Sequence, residues 1–292
     1  MLQFKGPPLP IRFSRTISNN RPLIIGHRGA SALAPENTLA AFALAMDDGA
    51  DGVELDVRLA QDGVPVVIHD PTLRRTGRCK GIVAELTSKE LGQKDVGSWF
   101  NHAHPQLARQ EYTRQVVPTL DQVLRIFSNH PSSSAAAGAV LYVELKMDDT
   151  QDSKSDLACP VVQLVNDQGL RNRVVLVSFN LATLARIKRI DSAIRTGALF
   201  APNSHPGRIV RKQAMVAAAL DSGADELLLH RMIARPGAVR AAANYSLRVV
   251  IWTVADPRWL RRARSGGIHA LITNNPALLR KHASLPGTRI KN

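Results

Sequence analysis

The sequence predicts an α/β protein that folds as a single (β/α)8 TIM barrel, and three observations lead to this fold class. The 292 residues, 45% of them apolar, are enough for one large barrel or two smaller domains. From residue 22 onward, short apolar runs alternate with helix-like segments, as they do where crossover helices join the strands. Most of these runs are continuously apolar, which is typical of parallel strands buried on both faces. A doubly wound open sheet is the alternative architecture.

The pattern predicts eight strands in chain order. They cover 22–27, 52–57, 140–146, 174–179, 196–200, 226–230, 248–253 and 270–274. Helix-like segments lie between them, including 38–49, 180–190 and 236–245. Eight strands with helical crossovers are the composition of a closed barrel.

A ninth apolar stretch, 64–69, follows the second strand too closely for a crossover helix. Asp62 and Gly63 separate the two, and Asp-Gly between apolar arms is a strong signal for a two-residue type I′ hairpin. We therefore expect this stretch to fold back on the second strand. In the register of such a turn His69 lies directly opposite Asp56, with both side chains on one face.

The rest of the chain divides into two tails and an insertion. Residues 1–21 are basic, lack acidic residues and have no continuous apolar segment of a secretory signal. They are expected to form a flexible tail, with an organelle transit peptide as the alternative. The barrel domain is expected at 22–280, with an insertion at about 71–118, and a second tail at 281–292.

Composition also bears on location and partners. Two cysteines without metal-type spacing indicate a reducing compartment, and no apolar run is long enough to span a bilayer, so a cytoplasmic protein is expected. The net charge of +14 is spread over the chain, as on a solvated basic surface. Without zinc-finger spacing or an aromatic RNA-binding signature, we expect no nucleic-acid partner. Membrane contact is expected to be peripheral at most, and the oligomeric state stays undefined.

Polar and ionisable side chains gather at the carboxyl ends of the predicted strands, where barrel enzymes carry their active sites. They are His27 and Arg28 on the first strand, Glu54 and Asp56 on the second, and Glu144 and Lys146 on the third. The fourth strand ends in Ser178 and Phe179, and the seventh in Trp252 and Thr253.

Three of these residues are candidates for a metal site. Glu54 and Asp56 are two positions apart on a strand and therefore share a face, and Glu144 comes from the neighbouring strand. Three oxygen ligands without cysteine suit Mg²⁺ or Ca²⁺ better than zinc. The alternative is a set of structural carboxylates paired with Arg28 and Lys146.

His27 and His69 would flank such a metal. Together they predict acid–base chemistry in which one histidine removes a proton from a nucleophile and the other protonates a leaving oxygen. Arg28 and Lys146, with the metal, would hold and neutralise a phosphoryl group. The remaining histidines are expected to be ordinary surface residues, except that His230 and His269 stay open, with His230 a candidate for the pocket lining.

Several motifs together resemble one enzyme family. They are HRGA (27–30), APENTLAAF (34–42), GADGVELDVRL (49–59), QDGVPVVIHD (61–70), VPTLDQVL (117–124), VELK (143–146), SF (178–179), WTV (252–254) and TN (273–274). Through them the chain from about 22 to 280 resembles the glycerophosphodiester phosphodiesterases, within the phosphatidylinositol phospholipase C-like phosphodiesterases. Two departures are Ala255, where the family often has Asn, and Asn274, where Asp is common.

The resemblance implies a metal-dependent hydrolase that cleaves glycerophosphodiesters, such as glycerophosphocholine or glycerophosphoethanolamine, to sn-glycerol 3-phosphate and an alcohol. The small insertion of that family lies at the position of 71–118. The site residues that the resemblance implies are Glu54, Asp56 and Glu144 for one divalent cation, Mg²⁺ or Ca²⁺, His27 and His69 for acid–base catalysis, and Arg28, Lys146, Phe179 and Trp252 for the substrate.

Two other functions remain as alternatives. One is a lysophospholipase D-type lipid phosphodiesterase that uses the same site, and the more remote one is a basic nucleic-acid-binding barrel without catalysis. The sequence also leaves the nucleophile open between water and the glycerol 2-hydroxyl, which would give a cyclic phosphate. It does not assign which histidine is the acid and which the base.

Overall fold

Strands with apolar side chains on both faces build the centre of the molecule. The computed structural model describes residues 21–128, 138–147, 156–202 and 211–284. The strands in these ranges are β1 (Leu23–His27), β2 (Gly52–Leu59), β3 (Pro65–Val67), β4 (Val140–Leu145), β5 (Val174–Ser178), β6 (Arg195–Phe200), β7 (Glu226–His230), β8 (Arg248–Trp252) and β9 (Ala270–Thr273).

All of these strands except β3 pair in parallel and close into a ring. The order runs β1, β9, β8, β7, β6, β5, β4, β2, and β1 pairs again with β2, Gly26 lying opposite Val53. An open doubly wound sheet would have two free edges, and this ring has none. The predicted (β/α)8 barrel is therefore confirmed.

Helices follow the strands and cover the outside of the ring. Those in the described ranges are α1 (Leu39–Asp47), α2 (Ser88–Leu91), α3 (Ser98–Ala103), α4 (Leu120–Ser128), α5 (Ala158–Asp167), α6 (Leu181–Ile190), α7 (Lys212–Asp221), α8 (Pro236–Ala243), α9 (Arg258–Gly266) and α10 (Pro276–Ala283). Polar side chains set the start of several helices: Thr38 caps α1, Asn180 caps α6 and Asn275 caps α10. None of the helices in the described ranges is long and apolar enough to cross a membrane.

The apolar side chains pack in two layers because successive strand residues point to opposite faces. Outward-facing residues such as Leu55 pack with helix residues such as Phe42. Inward-facing residues, including Val177, Leu199 and Leu228, fill the barrel interior. The interior packing reaches the carboxyl ends of the strands, where it forms the floor of a cavity.

The predicted hairpin forms, but its turn and its register differ from the prediction. The Ala60 N–H donates to the Val64 carbonyl, so three residues, 61–63, make the turn instead of two. Gly63 has a φ of 76°, the left-handed conformation that commonly ends a three-residue hairpin loop. The extra residue shifts the pairing by one position, and Ile68 instead of His69 lies opposite Asp56.

The segment predicted as an insertion packs around β3. Its apolar residues Leu73, Val83 and Leu91 form a small cluster with Val66 and Ile68 of the hairpin. This cluster is separate from the two layers of the barrel, so the segment has an apolar core of its own.

Only short parts of the two predicted tails, 1–21 and 281–292, lie within the described residues. Residues 1–20 and 285–292 lie outside the described residues, so most of both tails is outside as well. Arg21, which the sequence analysis assigns to the first tail, contacts the barrel at Asp51. Helix α10 extends to Ala283, three residues beyond the expected end of the domain.

Asp51 joins the two ends of the described barrel. Its carboxylate accepts hydrogen bonds from Arg21 Nη1 at 2.8 Å, from the Ile24 N–H at 2.8 Å and from Arg280 Nη2 at 2.7 Å. Burial alone would raise the pKa of Asp51, but the Arg21 and Ile24 hydrogen bonds and the charge of Arg280 outweigh it and lower this pKa.

Replacing Asp51 by alanine is expected to lower the free energy of unfolding at pH 7 by about 2–3 kcal/mol, because hydrogen bonds from charged donors are lost. The folded-state pKa of Asp51 lies below its unfolded value of about 3.9, so this stabilisation is complete above that pH and is lost as the pH falls through the folded-state value. Urea unfolding at pH 7 and below pH 4 would measure both effects. Glu111→Ala, which removes an exposed ion pair with Arg109, is the control and should cost less than about 1 kcal/mol.

Candidate active site

Strand register brings the candidate residues together at one end of the barrel. His27 on β1 lies opposite Glu54 on β2, and Asp56 on β2 lies opposite Glu144 on β4. A cavity of about 360 Å³ opens at these strand ends, a size typical of small-molecule sites. The sequence-predicted residues that line it are His27, Arg28, Glu54, His69, Glu144, Lys146, Phe179 and Trp252.

The three acids form one buried cluster. Each of Glu54, Asp56 and Glu144 offers a carboxylate oxygen, and these oxygens all lie within 4.8 Å of one another. Their exposed fractions are 3%, 0% and 7%. Asp56 Oδ1 has Lys146 Nζ at 3.1 Å but no hydrogen-bond partner among the described residues. A buried oxygen in this state has a lone pair available to a ligand.

Repulsion within the acid cluster is only partly offset. Burial, followed by the charges of Asp56 and Glu144, raises the pKa of Glu54 well above its usual range. Burial and Asp56 raise the pKa of Glu144 to about 7. Burial would also raise the pKa of Asp56, but Lys146 and Arg28 outweigh it and keep this pKa low. Three oxygen donors whose mutual repulsion Lys146 and Arg28 only partly offset fit a hard divalent cation, whose charge would favour their ionised forms.

Two cations lie beside the acids and line the same cavity. Lys146 Nζ contacts Glu144 at 2.6 Å and Asp56 at 3.1 Å. Arg28 Nε is 3.1 Å from Asp56 Oδ2, and the Arg28 backbone N–H donates to Glu54 Oε2 at 3.0 Å. Arg28 has a φ of 53°, a conformation that a non-glycine residue rarely adopts and that is found at functional sites.

His27 is held by an amide from the last strand. Its Nδ1 lies 2.6 Å from Asn274 Oδ1, which can only accept a hydrogen, so Nδ1 carries the proton. This leaves Nε2, 3.8 Å from Glu54 Oε2, as the basic nitrogen. Burial, together with the nearby charge of Arg28, lowers the pKa of His27 to about 4. The imidazole is therefore neutral at neutral pH and able to accept a proton.

His69 reaches the cavity although it is not opposite Asp56. It follows the end of β3, where the chain leaves the strand pairing, and Arg58 Nε donates to its carbonyl at 2.8 Å. Its Nδ1 lies 2.7 Å from Asp70 Oδ1, which leaves Nε2 for the cavity. A bend in the chain after β3 thus brings His69 to the cavity that Glu54 and Glu144 line. The predicted pairing of His69 with Asp56 is wrong.

Several polar partners in the site have no counterpart in the sequence-based expectations. Asn37 donates to Asp56 Oδ2 at 2.8 Å and accepts from the Asp56 N–H at 3.3 Å. Thr38 makes the N-terminal cap of α1, so the side chain of the preceding residue, Asn37, is available to bind Asp56. Asn274 was noted only as a missing carboxylate. In the sequence, Asn37 is marked only by its place in the APENTLAAF motif.

The aromatic candidates line the same cavity as Glu54 and Glu144. Phe179 and Trp252 pack edge to face, with ring centroids 5.7 Å apart. His230 packs on Trp252 at 5.1 Å, but it is not among the described residues that line the cavity. His269 precedes β9 and therefore lies at the other end of the barrel.

Comparisons with known proteins agree with this geometry. A family model described as the glycerophosphoryl diester phosphodiesterase family matches residues 27–278. A glycerophosphodiester phosphodiesterase of Bacillus subtilis is 28% identical over 91% of this chain and 87% of its own length. One from Caldanaerobacter subterraneus is 29% identical over 89% of this chain and 96% of its own length.

Solved structures are similar over the whole barrel. An Oleispira antarctica phosphodiesterase in complex with its product, sn-glycerol-3-phosphate, has a TM-score of 0.76 and 25% identity, over 91% of this chain and 98% of its own. A glycerophosphodiester phosphodiesterase from Agrobacterium tumefaciens has a TM-score of 0.70 and 27% identity, over 89% of this chain and 99% of its own.

Proposed function

Because the chain belongs to the glycerophosphoryl diester phosphodiesterase family and is an enzyme of that type, we propose that it hydrolyses small glycerophosphodiesters with a bound divalent cation and two histidines. The substrates are diesters such as glycerophosphocholine or glycerophosphoethanolamine, and the products are sn-glycerol 3-phosphate and an alcohol. The expected cytoplasmic location and the single barrel domain at 22–280 are part of this proposal.

The observation that carries the proposal is the set of residues that line one cavity. Two histidines, two cations and the carboxylates of Glu54 and Glu144 line the same space at the carboxyl ends of the strands, and Asp56 completes the buried acid cluster beside it. Phosphodiester hydrolysis requires these three kinds of group: a proton acceptor and donor, a site for a cation, and positive charge for the phosphoryl oxygens. The cavity is also large enough for a glycerophosphodiester.

Glu54, Asp56 and Glu144 would hold the cation, Mg²⁺ or Ca²⁺. When bound, it supplies Lewis-acid polarisation of a phosphoryl oxygen and stabilises the charge that develops there. The charges of Lys146 and Arg28 lower the pKa of Asp56, which favours the ionised carboxylate that a cation requires. Asn37 fixes the position of Asp56 by hydrogen bonds in both directions.

The proton transfers fall to the two histidines. The attacking hydroxyl is that of water or that of the glycerol 2-position; the latter gives a cyclic phosphate, which water opens in a second step to sn-glycerol 3-phosphate. One Nε2 takes the proton from this hydroxyl as the oxygen–phosphorus bond forms. The other histidine, protonated, gives a proton to the alcohol oxygen as its bond to phosphorus breaks. Arg28 and Lys146 bind the non-bridging oxygens and offset their charge during this exchange. Phe179 and Trp252 form the wall against the rest of the substrate.

The test is release of sn-glycerol 3-phosphate from glycerophosphocholine by purified protein. After treatment with EDTA the protein is expected to be inactive, and Mg²⁺, Ca²⁺ or Mn²⁺ added in turn should restore release with at least one ion. Glu54→Gln, which keeps the shape of the side chain and removes its charge, should not be restored. No release with any ion would refute the proposal for this substrate, and release from lysophosphatidylcholine alone would favour the lysophospholipase D alternative.

A further inference from the structure

Arg75 belongs to the insertion and not to the barrel, yet its guanidinium contacts two carboxylates at the edge of the site. Nη1 and Nη2 donate to the two oxygens of Glu36 at 2.7 and 2.8 Å. Nε and Nη2 donate to the two oxygens of Asp70 at 2.7 and 3.1 Å. All three guanidinium nitrogens are therefore engaged, in two bidentate pairs of the kind that only arginine can make.

Each of these carboxylates also binds a residue of the proposed machinery. Glu36 Oε1 accepts a hydrogen bond from Arg28 Nη1 at 2.8 Å. Asp70 Oδ1 accepts one from His69 Nδ1 at 2.7 Å. Arg28 follows β1 and His69 follows β3, and both strands pair with β2, so Arg75 adds a second link between these two parts of the site.

Positive and negative side chains alternate from Arg28 through Glu36 and Arg75 to Asp70, and each charge stabilises the next. Burial would raise the pKa of Glu36, but Arg75 and Arg28 lower it, and Arg75 with His69 lowers the pKa of Asp70 to about 2 against the effect of burial. Both carboxylates are therefore ionised at neutral pH. An ionised Asp70 can only accept, which fixes the proton of His69 on Nδ1 and keeps Nε2 basic.

We propose that Arg75 is a positioning residue that orients His69 through Asp70 and Arg28 through Glu36. The inference rests on the proposed function, in which His69 transfers a proton and Arg28 binds the phosphoryl group. Without Arg75, Asp70 and Glu36 lose two hydrogen bonds each, and both site residues lose the support that fixes their rotamers.

The contacts of Arg75 with Asp70 and with Glu36 should affect different kinetic constants. Asp70→Ala is expected to lower kcat by about ten- to a hundredfold, because His69 loses its orientation. Glu36→Gln is expected mainly to raise KM, because it weakens the support of a substrate-binding arginine. Arg75→Gln should do both. Arg74→Gln, which removes a neighbouring exposed arginine, should do neither.

Steady-state kinetics of these variants, normalised to the fraction of folded protein, test the inference. A lower kcat and a higher KM in Arg75→Gln, partial recovery in Arg75→Lys, and a double variant Asp70→Ala/Arg75→Gln with the kcat of Asp70→Ala alone would support it. Imidazole ¹⁵N NMR gives a second readout, in which His69 should change from one tautomer to a mixture in Arg75→Gln. Kinetics of Arg75→Gln equal to those of Arg74→Gln, or an unchanged His69 spectrum, would overturn it.

The outcome can be separated from that of the proposed function. A wild-type protein that releases sn-glycerol 3-phosphate and loses this activity in His69→Ala satisfies the proposed function, whatever Arg75 does. In that case, an Arg75→Gln protein with normal kinetics refutes only the positioning role. A wild-type protein without activity, or a fully active His69→Ala protein, refutes both.

Discussion

Replacing His27 by alanine is expected to lower kcat for glycerophosphocholine by about 100- to 10,000-fold, the range that positioned general acids and bases contribute. KM should change much less, because Arg28 and Lys146 remain to bind the phosphoryl group. The hydrogen bond that His27 Nδ1 donates to Asn274 Oδ1 and the low pKa of His27, about 4, give a neutral imidazole with an unprotonated Nε2 at neutral pH. Removing it takes away a proton transfer and leaves the charged contacts.

His69→Ala should give a loss of similar size, and the double variant should lose little more than the worse single one, because both histidines act in the same reaction. His102→Ala is the control: His102 is exposed on α3, and its Nδ1 bonds only the carbonyl of Ser98 one turn earlier. The rates are measured with saturating substrate and with the divalent cation that supports activity of the wild-type protein. Near-normal turnover in both His27→Ala and His69→Ala would contradict the acid–base assignment.

Loss of the divalent cation is expected to have the second large effect. Stabilisation of phosphoryl charge by a metal is worth several kcal/mol, so removal with EDTA should reduce kcat by about a thousandfold or more. Binding should also be visible without turnover. A cation at about a hundred times its Kd stabilises the folded protein by about 2.7 kcal/mol, which raises the thermal midpoint by several degrees.

Two variants of the acid cluster test this expectation. Glu54→Gln and Glu144→Gln should each lose the metal-dependent rise in thermal midpoint, because a carboxylate ligand becomes a neutral amide. Glu226→Gln is the matched control, since Glu226 is also fully buried but begins β7, at the other end of the barrel. It should keep the rise, whatever its effect on the midpoint of the metal-free protein. A rise that persists in both cluster variants would place the cation elsewhere.

Much of the fold and of the candidate site can be read from the sequence because it depends on local patterns. Continuous apolar runs define the strands, and the barrel follows from their number and order. Side chains at the carboxyl ends of β1, β2 and β4 converge because parallel register aligns those ends, as Asp56 and Glu144 show. The patterns of a single strand and its last residues are enough for these predictions.

The remaining features depend on contacts that no local pattern encodes. The register of the hairpin depends on whether Gly63 closes a turn of two or of three residues, and Asp-Gly is compatible with both. Asn274 meets His27 across 247 positions of sequence, and Arg75 meets Glu36 across 39. Nothing in the local sequence distinguishes such partners from other polar residues. His69 itself was predicted correctly for the cavity but through the wrong pairing.

The cavity described above has its charged groups on the side of β1, β2 and β4 and its apolar floor and wall on β5 to β9. Residues such as Leu199, Leu228 and Ile272 contribute shape there and belong to the barrel interior. In the proposed function, the charged side would bind the phosphoryl group and the apolar side would contact the rest of the substrate. On that basis, substitutions among the apolar residues of β5 to β9 would change the preferred alcohol and leave the acids, histidines and cations of the other side in place.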